Sequence, residues 1–185
     1  MSRNYKFWDQ SKPYFITYAV VDWIDVFTRR EYKDILVDSL QYCIDKKGLI
    51  VYAWCIMSNH IHLIIGTEQE KMQDIVRDMK KFTSKEICKA VKEKPGESRK
   101  RWMLALFLKA GTSNSNNEKY QFWQQHNQPI ELDNAKIIEQ KVDYIHENPV
   151  KAGWVNEPWQ YIYSSALAYS GKEGLLSITK AEWEQ

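Results

Sequence analysis

The run AWCIMSNHIHLII, residues 53–65, holds two short apolar segments on either side of Ser58-Asn59. Segments of this kind around a Ser-Asn pair read as two antiparallel strands with a tight connection. His60 and His62 fall in the second strand. Alternate side chains of a strand share a face, so the two imidazoles project together, with Cα atoms roughly 6.5–7 Å apart. Such a pair converges on one metal ion, or else it is two strand-edge histidines, each bonded to backbone or water. The spacing alone leaves both open.

Working outward, YFITYAVVDW reads as a first strand around residues 14–21, and REYKDILVDSLQYCIDKK as a helix that stops at Gly48. After the histidine strand, Met72, Ile75, Met79, Phe82 and Ile87 form the apolar stripe of a long helix from about residue 71 to 92. Pro95-Gly96 breaks it, and ESRKRWMLALFLKAG resumes a helix with Trp102, Leu106 and Leu108 available for burial. GTSNSNNEK is a surface loop, YQFWQQHNQPIEL a further strand or hairpin, and DNAKIIEQKVDYIHEN a helix capped by Asp133 or Asn134. Pro149 disfavours helical geometry in the residue before it, so that helix should end at Asn148.

Length and composition narrow the setting. A chain of 185 residues suits one domain with a real core. Cys43, Cys55 and Cys88 form no CxxC pair and no zinc-type spacing, which points to a reduced, intracellular protein. No stretch nears the roughly 20 apolar residues of a membrane span, so the expectation is a soluble, cytoplasmic protein. The net charge of +2 conceals a basic block. Residues 71–110 carry a net +7, against −1 before them and −4 after them. A solvated helix face accounts for many such blocks; a polyanion partner accounts for them too, because neutralised phosphates release counterions.

In KVDYIHENPVKAGWV, Tyr144 and Asn148 are one helical turn apart and face the same way. Ile138, Val142 and Ile145 cluster on one side of that helix. Tyr144 lies about 120° and Asn148 about 80° from the centre of the cluster. Tyr144 is therefore either a boundary tyrosine that lifts its hydroxyl to solvent or a reactive group.

Taken in order, MSNHIHL, FWQQH, YIHENPVKAGWV and YSSALAY give the chain a resemblance to the REP-associated tyrosine transposases. These are a branch of the HUH single-strand DNA nucleases, with IS200-like transposases among their kin. The resemblance covers most of the chain. It implies an α+β fold with a ferredoxin-like antiparallel sheet, and residues 1–185 as one transposase-like domain. It also implies a metal site formed by His60 and His62, with Asn148 completing it, and Tyr144 as the nucleophile. Two nitrogens and an amide oxygen leave open positions that suit Mg²⁺ or Mn²⁺.

The function so implied is cleavage and rejoining of single-stranded DNA, at hairpins from imperfect palindromes, through a 5′-phosphotyrosine. Lys80, Lys81, Lys85, Arg99, Lys100 and Arg101 are the candidates for the DNA backbone, and Trp123 for stacking on unpaired bases. The expected partner is single-stranded or hairpin DNA, in the cytoplasm and associated with the nucleoid. Relatives include monomers and dimers, so a homodimer stays open. The alternative is a domesticated protein that binds structured DNA without cutting it. A phosphate-processing hydrolase is disfavoured, because the sequence offers no second cluster of carboxylates.

Overall fold

A computed structural model describes residues 7–112, 119–125 and 128–180. Most of GTSNSNNEK, and His126 of FWQQH, lie outside the described residues. The strands are β1 (Tyr14–Ala19), β2 (Leu49–Ile56), β3 (His60–Thr67) and β4 (Ile130–Glu131). They form one antiparallel sheet in the order β2-β3-β1-β4. Helix α1 (Arg30–Lys47) links β1 to β2; α2 (Met72–Glu93) and α3 (Lys100–Thr112) lie between β3 and β4. A βαββαβ chain with this strand order has the ferredoxin-like arrangement. After it come α4 (Ala135–Lys151) and the short α5 (Ala166–Tyr169).

The two faces of the sheet are covered by different helices. Tyr14, Ile16 and Tyr18 of β1, Trp54 and Ile56 of β2, and Ile61, Leu63 and Ile65 of β3 pack with Leu36 and Leu40 of α1 and Ile75 of α2. The other face carries Phe15, Ala53, Cys55 and Ile64, packed with Ile138 and Ile145 of α4. An irregularity between Val51 and Ala53 shifts the β2 register by one residue. It places Val51 and Trp54 on the same side, as a bulge does. Since β3 alternates without interruption, His60 and His62 point to the α4 face, opposite Ile61 and Leu63.

Local chemistry explains most boundaries. Gly48 adopts a left-handed conformation, φ 70°, and its N–H donates to the Cys43 carbonyl, closing α1. Asn134 caps α4 by accepting from the Ile137 N–H at 2.9 Å. The expected stop before Pro149 is corrected: α4 continues to Lys151 with Pro149 inside it. Proline in the last turn removes one hydrogen bond rather than a helix. Its ring is buried, and the Ala152 and Trp154 N–H groups still reach the carbonyls of Asn148 and Pro149. Among the described residues, the segment before α4 supplies the two residues of β4 and an isolated bridge between Val20 and Trp123. Among the described residues no helix is long and apolar enough to cross a membrane.

The connection between α2 and α3 is fixed by a buried carboxylate. Glu97 accepts from Arg29 Nε at 2.6 Å, Arg99 Nε at 3.0 Å and the Tyr32 hydroxyl at 3.0 Å. The two guanidiniums and the tyrosine hydroxyl hold its carboxyl down at about 2. Replacing Glu97 with alanine leaves two cations facing each other. The expected destabilisation is about 3 kcal/mol, the low end for breaking a buried ion pair, because both guanidiniums keep some solvent contact. Urea denaturation of Glu97→Ala reads this directly. A loss well under 1 kcal/mol would show that the cluster does not tie the connection to α1.

Candidate active site

The β1–β3 register sets Thr17 opposite His62. The Thr17 hydroxyl is 2.8 Å from His62 Nδ1. Asn59, in the turn before β3, places its Oδ1 2.7 Å from His60 Nδ1. Its Nδ2 donates to the Trp23 carbonyl and to Asp25 Oδ1. An amide oxygen only accepts, so His60 carries its proton on Nδ1 and turns a lone pair at Nε2 toward its neighbour. The two Nε2 atoms are 3.0 Å apart.

This arrangement fits a divalent cation. Two nitrogen ligands at right angles, each about 2.1 Å from an ion, stand about 3.0 Å from one another. Thr17 can accept from an Nδ1–H, which frees His62 Nε2 as a second lone pair; Asn59 does the same for His60. Such outer hydrogen bonds orient ligating imidazoles. Burial lowers the His60 pKa. Burial, then the neighbouring His60 and Lys141, bring His62 down to about 3. Both rings are neutral at pH 7, the form that binds metals. Among the described residues no group of three or more His, Cys, Asp and Glu side chains is placed to hold a metal.

Helix α4 crosses this face and brings Tyr144 to the pair. The Tyr144 ring centroid is 5.3 Å from that of His62 and 6.0 Å from that of Phe15. The tyrosine is 42% exposed, so the phenol is open to a large ligand while one edge is packed. Lys141, one turn earlier, holds its ammonium 4.6 Å from the Phe15 ring centre and 5.6 Å from that of Tyr144. Asn148, one turn later, donates from Nδ2 to the Tyr144 carbonyl at 2.7 Å, which leaves its amide oxygen as an acceptor.

The other residues singled out from the sequence divide into two groups. Lys81, Lys85 and Arg101 are exposed and Lys100 half-buried. Arg99 is engaged with Glu97 and donates to the Asp25 carbonyl. Lys80 donates to the Gln124 carbonyl at 3.1 Å and lies 5.0 Å from the Tyr18 ring centre. Its burial lowers the ammonium pKa to about 8. Trp123 is corrected outright: it is 6% exposed, its Nε1–H donates to Thr83, and its ring stacks on Phe27, so no face is free for a base.

Sequence reasoning missed Thr17, Asn59, Lys141 and Trp23. Lys141 was legible as the residue three before Tyr144. Thr17 becomes visible only once the strands are paired.

A family model described as "Transposase IS200 like" matches residues 24–120. That span includes both histidines and the basic helices and ends before Tyr144. No curated protein matches the chain. A solved structure of a REP-associated tyrosine transposase bound to a REP hairpin is similar in fold, with a TM-score of 0.61 at 17% identity over 100% of this chain and 98% of that one. The family match takes in more than half of the 185 residues, and the chain belongs to the IS200-like transposases.

Proposed function

We propose that this protein is a metal-dependent tyrosine transposase of the REP-associated type, acting as a single unit over residues 1–185. In this role it cleaves and rejoins single-stranded DNA. The observation that carries the reading is the contact between the Tyr144 ring and His62, whose Nε2 faces that of His60 at 3.0 Å. A nucleophile and a cation site on one open face suit attack on a phosphodiester.

His60, His62 and Asn148 are the residues that would hold Mg²⁺ or Mn²⁺, and the ion would supply Lewis-acid polarisation of a phosphate. The Tyr144 hydroxyl attacks phosphorus. The Oη–P bond forms, the bond from phosphorus to the 3′-oxygen breaks, the phenolic proton is lost and the released 3′-oxygen takes one up. One phosphodiester replaces another, so no nucleotide cofactor is required, and attack by a 3′-hydroxyl on the phosphotyrosine reverses the step. Lys141 keeps a positive charge beside Tyr144, where it attracts the phosphate.

The substrate reading is a hairpin with a single-stranded flank. The structural relative holds a REP hairpin. The exposed cations Lys81, Lys85 and Arg101, with Lys100, offer this chain a surface for a similar backbone.

Tyr144→Phe should abolish covalent attachment to a palindrome-derived strand in Mn²⁺ while leaving hairpin affinity within about threefold. Adduct formation by that variant would sink the assignment. Binding without nicking by the wild type, unchanged in chelator, would instead favour the domesticated DNA-binding protein. Lys141→Met should slow adduct formation about tenfold or more, the order of effect of removing one charge near a phosphate in a partly solvated setting. A rate equal to wild type removes Lys141 from the mechanism.

Cation affinity should also follow the depressed histidines. Protonation opposes binding, and both pKa values lie below 6.5, so Mn²⁺ affinity measured by calorimetry should change little from pH 8 to about 6.5 apart from any dependence due to other groups. It should weaken below that, as His60 protonates. Thr17→Val should weaken it about 10–100-fold. Unaltered Mn²⁺ affinity in His62→Ala would exclude the site.

A further inference from the structure

Asp22 and Trp23 are consecutive non-glycine residues in left-handed conformation, with φ of 53° and 54°. Bulky residues rarely occupy that region, and it recurs where function requires a side chain to be held. Here the backbone is pinned: the Trp23 N–H donates to the Val20 carbonyl, and its own carbonyl accepts from Asn59 Nδ2 at 3.1 Å. Trp54 and Trp123 are buried, whereas Trp23 is 54% exposed. Its indole stands edge-on to His60, with ring centroids 5.7 Å apart. Asn59 therefore fixes both the tautomer of His60 and the position of an exposed tryptophan beside it.

The ring contacts run Trp23–His60–His62–Tyr144. Trp23 thus adjoins His60 at one end of this series and Tyr144 adjoins His62 at the other. In phosphoryl transfer the entering and leaving oxygens lie roughly in line through phosphorus. With a phosphate held at the histidine pair, attack from the Tyr144 side would send the departing 3′-oxygen, and the nucleotide that bears it, away from the phenol and toward the His60 end of this series, where Trp23 stands.

We propose that Trp23 is the stacking platform for the base immediately 5′ of the scissile phosphate, and so holds the strand that leaves with the 3′-hydroxyl in place for rejoining. This rests on Tyr144 as the nucleophile. Stacking on an indole accepts any base, so Trp23 contributes position rather than sequence choice.

The test uses the full chain and the palindrome-derived strand that wild type captures covalently. Trp23→Ala should raise the half-saturating DNA concentration about 10–100-fold, the range for one base–aromatic stack, and Trp23→Phe should stay within about threefold of wild type. Trp23→Asn, which tolerates the left-handed backbone, should behave like the alanine variant and controls for strain. An abasic site 5′ of the scissile phosphate should impose the same loss on wild type and no further loss on Trp23→Ala. An equal additional loss on the abasic strand would mark a structural role and overturn the assignment.

With 2-aminopurine at that position, binding to Tyr144→Phe protein should quench fluorescence, and adding Trp23→Ala should remove the quenching. Quenching only with the probe 3′ of the phosphate overturns the assignment as well. If wild type forms no adduct, the nucleophile reading fails on its own, while the aminopurine measurement still reports whether Trp23 holds a base.

Discussion

The two-residue period of β3 is the constraint on which the site depends. Ile61, Leu63 and Ile65 belong to the core beneath α1 and α2, so the odd positions are committed to that face. A slip of one residue would turn both imidazoles into that apolar core and move Ile61, Leu63 and Ile65 to the α4 face, losing the packing of three large aliphatic side chains. β3 is also an interior strand, paired with β2 on one side and β1 on the other. The direction of the histidines is thus fixed by apolar burial, and their chemistry is added on top of it. The bulge in β2 lets the neighbouring strand keep Trp54 in one core and Ala53 and Cys55 under α4.

Burial has a second effect. It takes His62 out of water and His60 partly so, which lowers both pKa values and favours the neutral rings. Neutral imidazoles need partners on their outer nitrogens, and Thr17 and Asn59 supply them. Asn59 extends that ordering to Asp25 and to the Trp23 carbonyl, so the loop after β1 and the turn before β3 act as one rigid unit. In the proposed reaction, geometry held by packing and hydrogen bonds before the DNA arrives would lower the ordering cost of the chemical step.

Local patterns in the sequence carried the hairpin, the long helices, the Gly48 stop and the Asn134 cap, because each depends on a few neighbouring residues. Motifs brought His60, His62, Tyr144 and Asn148 into view as well. What stayed hidden depended on which face a residue turns to, or on a partner far along the chain. Nothing in FWQQH shows that Trp123 is a core ring bonded to Thr83 of α2. Arg99 looks like any other member of a basic block until Glu97 is seen buried between it and Arg29. Trp23 and Trp123 have the same chemistry; only the backbone at 22–23 and the contact with His60 make the former the exposed one.

The segment YIHENP can be accounted for almost residue by residue as a device that sets the position of one phenol. Ile145 is buried against the sheet, and Ile138, two turns earlier, joins it, which fixes the rotation of α4. His146 Nε2 is 2.7 Å from the Ser165 hydroxyl, and Ser165 accepts from the Trp54 N–H at 2.9 Å, so a side chain of the helix is tied to β2 through one intermediary. Burial lowers the His146 pKa to about 4, which keeps that link neutral and the ring in place at physiological pH. Pro149 buries its ring in the last turn. Asn148 reaches back to the carbonyl of residue 144 itself. With rotation and sliding both fixed by groups that face inward, Tyr144 faces outward at a set height beside His62. A histidine pair fixed by strand alternation and a tyrosine fixed by helix anchors meet because both elements share one face of the sheet.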